Sequence, residues 1–224
     1  MNSKLTQLLD KMEYAIFDLD GTLLDSMPIW VNLGETVLKS LDIIPDEETN
    51  RRFKTMTLTQ SSHYIKEHFP LKISAEELLK IFTDTVKKGY EEEAPLKPYA
   101  MDFLKLLKSK NIKMCVATAS ERHLTEAALK RTGVLPYLDF VITCSDIGKT
   151  KETPDIYLEA MRKLGGTLQN TVVFEDAYFS IISATNGGFP VVAIYDECAK
   201  NEKENIQKSA DGYIESFHEL LHMI

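Results

Sequence analysis

Two carboxylates stand one residue apart where a short apolar run gives out, in the stretch YAIFDLDGTLLDS that carries Asp18 and Asp20. Mutual repulsion and desolvation make that placement costly unless a cation or a reaction uses it. Three further groups belong with them. Thr118 ends an apolar run in VATAS, Lys151 lies in the loop KTKETPD, and Glu175-Asp176 close another apolar run in VVFEDA. Four carboxylates, a hydroxyl and a lysine suit a hard divalent cation with oxygen ligands, and Mg²⁺ is held in that way together with substrate phosphate. With the cation bound, Asp18 can attack phosphorus as a nucleophile. Asp20, two residues on, points to the same side while the chain stays extended. From there it can protonate a leaving oxygen and then deprotonate a water. Thr118 and the backbone amides after Asp18 can hold phosphoryl oxygens, and Lys151 can offset the charge on Asp18 and on the group in transfer.

These residues can meet only if their elements bring them to one edge. Strands are expected at 15–17, 113–117, 140–143, 171–174 and 191–195, with a last one near Tyr213. Helices are expected between them, over 99–110, 121–131, 154–164 and 177–186, the last two stopped by Gly165-Gly166 and Gly187-Gly188. A closing helix is expected over 216–222. Such alternation predicts an α/β fold, a doubly wound parallel sheet with helices on both faces, in which ligands bind beyond the carboxyl ends of the strands. The stretch 27–94 reads differently. Trp30, Leu33, Val37 and Leu41 give helical spacing over 28–41, followed by helices at 47–53, 59–69 and 74–90, the last opened by the capping pair Ser74…Glu77. An all-α domain at 27–94 is therefore expected to interrupt a core formed by 1–26 and 95–224. Its Met and aromatic residues (Trp30, Met56, Tyr64, Phe69 and Phe82) are expected in its own core.

FDLDGTLLDS, the Thr of VATAS, Lys151 in K-x-x-P-D and Glu175-Asp176 together resemble the four motifs of the haloacid dehalogenase (HAD) superfamily. The helical insert resembles the cap of its phosphoglycolate phosphatase and β-phosphoglucomutase branch. The resemblance implies a Rossmann-like core with a cap, and a Mg²⁺-dependent phosphohydrolase working through an aspartyl-phosphate. It implies Asp18 as nucleophile, Asp20 as acid/base whose backbone carbonyl also meets Mg²⁺, Thr118 as the phosphate-binding hydroxyl and Lys151 as the charge-balancing lysine. Asp18, Asp20, Glu175 and Asp176 would be the metal residues. Thr118, Ser120, Arg122 and, in a cap loop, Lys54 would hold substrate. Lys149 competes with Lys151, and the spacing to Pro154 favours Lys151. The sequence departs from the family where its fourth motif usually reads EDSxxG, because Ala177 and Ser180 replace the usual Ser and Gly.

The chain has 224 residues, 44% of them hydrophobic, and a formal net charge of −8, with no Lys/Arg block to suggest nucleic acid or an anionic membrane as partner. Cys115, Cys144 and Cys198 show neither metal nor disulfide spacing and are expected as reduced, mostly buried thiols. MNSKLTQLLDKMEY lacks the apolar block of a leader, and no apolar run approaches the ~20 residues of a membrane span. A soluble, cytoplasmic, monomeric enzyme for a small phosphorylated metabolite is the expectation. Two other readings stay open. One is a phosphosugar mutase, against which Trp30 stands where that enzyme carries a cap His and Leu58 where it carries an Arg. The other is a catalytically silent protein that binds a phospho-ligand, against which the set Asp18, Asp20, Lys151 and Asp176 is intact.

Overall fold

The computed structural model describes residues 3–53 and 56–223, so Lys54 lies outside the described residues. By its internal contacts the chain divides into two compact units, Met1–Asp25 with Pro95–Ile224, and Ser26–Ala94.

The first unit opens on α1 (Ser3–Asp10), whose Leu5 and Leu9 fall on one helical face and are buried. Six strands follow in the order of the chain: β1 (Tyr14–Phe17), β2 (Lys113–Thr118), β3 (Phe140–Thr143), β4 (Thr171–Glu175), β5 (Val191–Ile194) and β6 (Gly212–Ile214). They form one parallel sheet ordered β3-β2-β1-β4-β5-β6. The sheet is buried from both sides, which explains why its strands read as nearly unbroken apolar runs.

Neighbouring residues on β1 serve opposite faces. Ile16 packs in a cluster with Ile156, Tyr157 and Ala160, while Phe17 stacks on Phe174 at 4.6 Å between ring centres. Phe103 and Phe217 complete that second cluster, with Phe103 edge-on to Phe17 and stacked on Phe217. Because β1 lies between β2 and β4, the chain leaves it in one direction for β2 and β3 and in the other for β4 to β6. That reversal opens the crevice where ligands bind in such sheets.

The second unit is helical: α2 (Met27–Val31), α3 (Leu33–Ser40), α4 (Glu47–Phe53), α5 (Leu58–His68) and α6 (Ala75–Lys88), then one wide helical turn, Gly89–Glu93. The helix expected over 28–41 breaks at Asn32. Its apolar spacing is continuous across the break, so periodicity alone cannot report it. Ser74 and Glu77 form the expected capping box on α6. Phe82 is buried and meets Phe53 edge-on, whereas Trp30 keeps 36% of its surface, its indole N–H donating to the Tyr90 hydroxyl at 3.0 Å.

The remaining helices belong to the first unit: α7 (Ala100–Ser109), α8 (Arg122–Arg131), α9 (Cys144–Ile147), α10 (Asp155–Leu164), α11 (Tyr178–Asn186) and α12 (Lys203–Ser209). The expected closing helix over 216–222 is a short 3₁₀ turn, Phe217–Leu220. The three cysteines are free; Cys115 is buried but Cys198 is exposed. None of the described helices is long and apolar enough to cross a membrane.

Phe174→Ala removes the ring shared by the Phe17 and Phe103 contacts at the centre of the sheet. It should lower unfolding free energy by about 3–5 kcal/mol, read as a fall in the urea midpoint at unchanged slope.

Candidate active site

Asp18 follows the last residue of β1, and its backbone N–H donates to the carbonyl of Phe174 on β4. Glu175 ends β4 and Asp176 follows it. Strand register thus sets these acids side by side, although more than 150 positions separate them in the chain. Asp18, Glu175 and Asp176 are each less than a tenth exposed, and one carboxylate oxygen from each lies within 4.8 Å of the others.

Lys151, on the loop between α9 and α10, is buried among them. Its ammonium donates to Asp18 Oδ1 and, at 2.6 Å, to Glu175 Oε1. Burial opposes its charge, but Asp18 and Glu175 outweigh that and hold Lys151 well above the usual lysine range. Lys149 is exposed on the outer surface, so only one of the two lysines enters the cluster.

Three buried carboxylates thus face one ammonium. Burial pushes the Asp18 carboxyl up to about 7, against the pull of Lys151. Burial, with Glu175 and Asp18 next to it, also holds Asp176 well above the carboxylate range. Among the described residues around this cluster, negative charge outweighs positive. An all-oxygen set of this kind fits a hard divalent cation, and among the described residues Asp18, Glu175 and Asp176 form a group able to hold one. Glu175 is the most committed of the three. Oε1 accepts from Lys151 and from the Tyr157 hydroxyl at 2.9 Å, and Oε2 accepts from the amides of Asp176 and Ala177.

Those amide bonds bear on the altered fourth motif. Ala177 has no oxygen with which to cap α11, and the carboxylate of Glu175 takes up its amide instead. Ser180, in place of the usual Gly, is buried with no hydrogen-bond partner for its hydroxyl.

The turn after Asp18 is built around a glycine. Gly21 has φ of +83°, and a Cβ there would stand 2.3 Å from Asp176 Oδ2, so only glycine lets this turn approach the acid. Thr22 donates its hydroxyl to Asp176 Oδ1 at 3.1 Å. Asp20 is half-buried on the same turn, and its Oδ2 accepts the hydroxyl of Ser120 at 2.5 Å. Thr118 is fully buried at the end of β2, and its Oγ1 accepts from the amide of Ser120. Arg122 is exposed and engaged with acids of its own surroundings: its guanidinium reaches Glu126 at 3.0 Å and Asp146 at 2.5 Å, and donates to the Val141 carbonyl.

Three side chains escape sequence reasoning. Tyr157 lies on the inner face of α10, six residues after Lys151, and looks like any core aromatic. Thr22 stands inside FDLDGTLLDS, where nothing in the sequence gives it Asp176 as a partner. Lys97 lies in the returning connection. Its ammonium meets Asp196 at 2.6 Å and Asp25 at 3.7 Å, yet neither distance nor sequence pattern announces the pairing.

Comparison with known proteins places the chain among hydrolases of one family. The profile of the haloacid dehalogenase-like hydrolases matches residues 15–194. A phosphorylated carbohydrates phosphatase of Thermotoga maritima is 27% identical over 177 residues, which cover 79% of this chain and 82% of that protein. Pyrophosphatase PpaX of Oceanobacillus iheyensis is 24% identical over 91% of this chain and 88% of its own length. Among solved structures, CbbY from Rhodobacter sphaeroides, in complex with phosphate, superposes with a TM-score of 0.72 at 23% identity, covering 93% of this chain and 96% of that one.

The acid shift gives a signed pH dependence for the cation-free protein. An unfolded Asp titrates near 3.9 and folded Asp18 at about 7, so between those values the folded state binds the extra proton. With EDTA present, the contribution of Asp18 to stability should be full below pH ~4 and be lost as pH rises through 7. Urea midpoints measured across that window should show the fall in the wild type, a flatter profile in Asp18→Asn, and recovery when Mg²⁺ replaces EDTA.

Proposed function

The chain belongs to the haloacid dehalogenase-like hydrolase family, and from that premise we propose that it is a Mg²⁺-dependent phosphatase, hydrolysing a small soluble phosphate monoester through an aspartyl-phosphate on Asp18. The observation that carries this reading is the burial of Asp18, Glu175 and Asp176 around one lysine at the crevice of the sheet. A structural ion-pair network would pair its charges; this one leaves carboxylates in excess.

A divalent cation would be held by Asp18, Glu175 and Asp176 and would supply Lewis-acid charge neutralisation. The chain's own residues do the rest. Lys151 steadies Asp18 in its ionised form and lies where charge accumulates on the transferring group. Asp18 attacks phosphorus, and the bond to the leaving oxygen breaks as Asp20 gives that oxygen a proton. Asp20 then takes a proton from the water that releases phosphate from Asp18. Thr118, fixed at the end of β2, has its hydroxyl proton available for a phosphoryl oxygen, because its Oγ1 accepts rather than donates toward Ser120. Tyr157 and the amides of Asp176 and Ala177 keep Glu175 oriented toward the cluster.

The helical unit is proposed to be the cap of this architecture. The relatives named for phosphorylated carbohydrates and for pyrophosphate support a small phosphorylated substrate. The three free thiols suit a reducing, cytoplasmic setting.

Phosphate release from p-nitrophenyl phosphate and from a panel of sugar phosphates tests the proposal. Turnover should need Mg²⁺, stop with EDTA, and drop by at least ~1,000-fold in Asp18→Asn with the thermal transition preserved. Residual turnover of the Asn variant near the wild-type rate would remove Asp18 from the nucleophile's role.

A further inference from the structure

Ser120 occupies a place that its expected part in substrate binding does not explain. Its hydroxyl donates to Asp20 Oδ2 at 2.5 Å, and its own amide is tied at 3.0 Å to Oγ1 of Thr118. Thr118 is fully buried and pairs in register with Thr143 on β3, so the hydroxyl of Ser120 projects from a fixed strand end. Asp20 sits on a turn closed by its own backbone, with Gly21 donating to Leu24 at 2.8 Å and Leu23 and Leu24 both donating to Leu19. That turn fixes the Cα of Asp20 but leaves the rotation of its half-buried carboxyl to side-chain contacts.

We propose that Ser120 is a positioning residue for Asp20, orienting its carboxyl for proton transfer to the leaving group and stabilising the carboxylate formed by that transfer. The proposal rests on the phosphatase reading above and assigns a role within it. In the proposed step the proton leaves Asp20 from Oδ1, the oxygen that does not accept from Ser120. As Asp18 bonds to phosphorus and the bond from phosphorus to the ester oxygen breaks, that oxygen takes the proton from Oδ1. Asp20 is left as a carboxylate, and the bond from Ser120 becomes charge-assisted and stronger. The contact therefore contributes most at the transition state of any ester whose leaving oxygen needs a proton. It contributes little for p-nitrophenolate, which departs as a stable anion.

The test compares kcat/KM for p-nitrophenyl phosphate with that for glycerol phosphate, in wild type, Ser120→Ala, Ser120→Thr and Asp18→Asn, each checked for a single cooperative melting transition. The expected result for Ser120→Ala is a fall of about 10–100-fold on glycerol phosphate, carried by kcat, and less than about 3-fold on p-nitrophenyl phosphate. Ser120→Thr, which keeps the hydroxyl, should regain most of the lost rate. Equal losses on both esters, a loss carried by KM, or no loss would overturn the assignment. Asp18→Asn separates the two levels. If it keeps turnover, the phosphatase reading falls and takes this one with it. If it is inactive while Ser120→Ala is indifferent to the leaving group, only the role of Ser120 falls.

Discussion

Three buried carboxylates sharing one ammonium is the constraint on which the site depends. Desolvation alone would force Asp18 and Asp176 to protonate, and both are displaced strongly in that direction. Lys151 counters part of this, bonding to Asp18 and Glu175 at once, and it is the one buried residue of a loop whose neighbours Thr150 and Glu152 are exposed. Everything nearby serves that arrangement. Gly21 is glycine because any Cβ would collide with Asp176, and Glu175 gathers two amides and a phenol so that its charge is never left bare.

The sheet makes this concentration of charge affordable. Asp18 and Glu175 lie at the ends of adjacent central strands, directly above the stacked rings of Phe17 and Phe174. The ring cluster holds β1 and β4 in register, and the register holds the acids within reach of each other. Removing an apolar group from that layer thus acts on stability first and on the site second, whereas changing Lys151 or Gly21 acts on the site directly. The parallel order with β1 in the middle is what lets distant parts of the chain, the turn after β1 and the loop before α10, deliver side chains to one crevice.

Much of this was legible in the sequence, for identifiable reasons. The strands are short apolar runs closed by polar residues, so β1 to β5 appear within a residue or so of where they were expected, and the acids at their ends identify the carboxyl edge. The elements that escaped lack such contrast. Helix α12 and the 3₁₀ turn before it, Glu197–Glu202, are rich in charge, and Ile206 alone among the residues of α12 is buried, so no periodicity shows. Helix α1 does carry an i, i+4 pair in Leu5 and Leu9, a signal easily lost in eight residues. At the site, Asp18, Lys151 and Glu175 were readable because their types are expensive to bury. Tyr157, Lys97 and the contact of Ser120 with Asp20 were not, because ordinary residues become informative only through partners 18 to 100 positions away.

The account stands or falls on whether a divalent cation takes its place among these acids. Soaking crystals of the protein with Mn²⁺ and collecting anomalous diffraction at the manganese edge addresses this most directly. The account predicts one strong peak within bonding distance of Asp18 and Asp176, on the side of Glu175. A peak at some other place, or none in crystals whose soaking solution saturates a control metalloprotein, would contradict it.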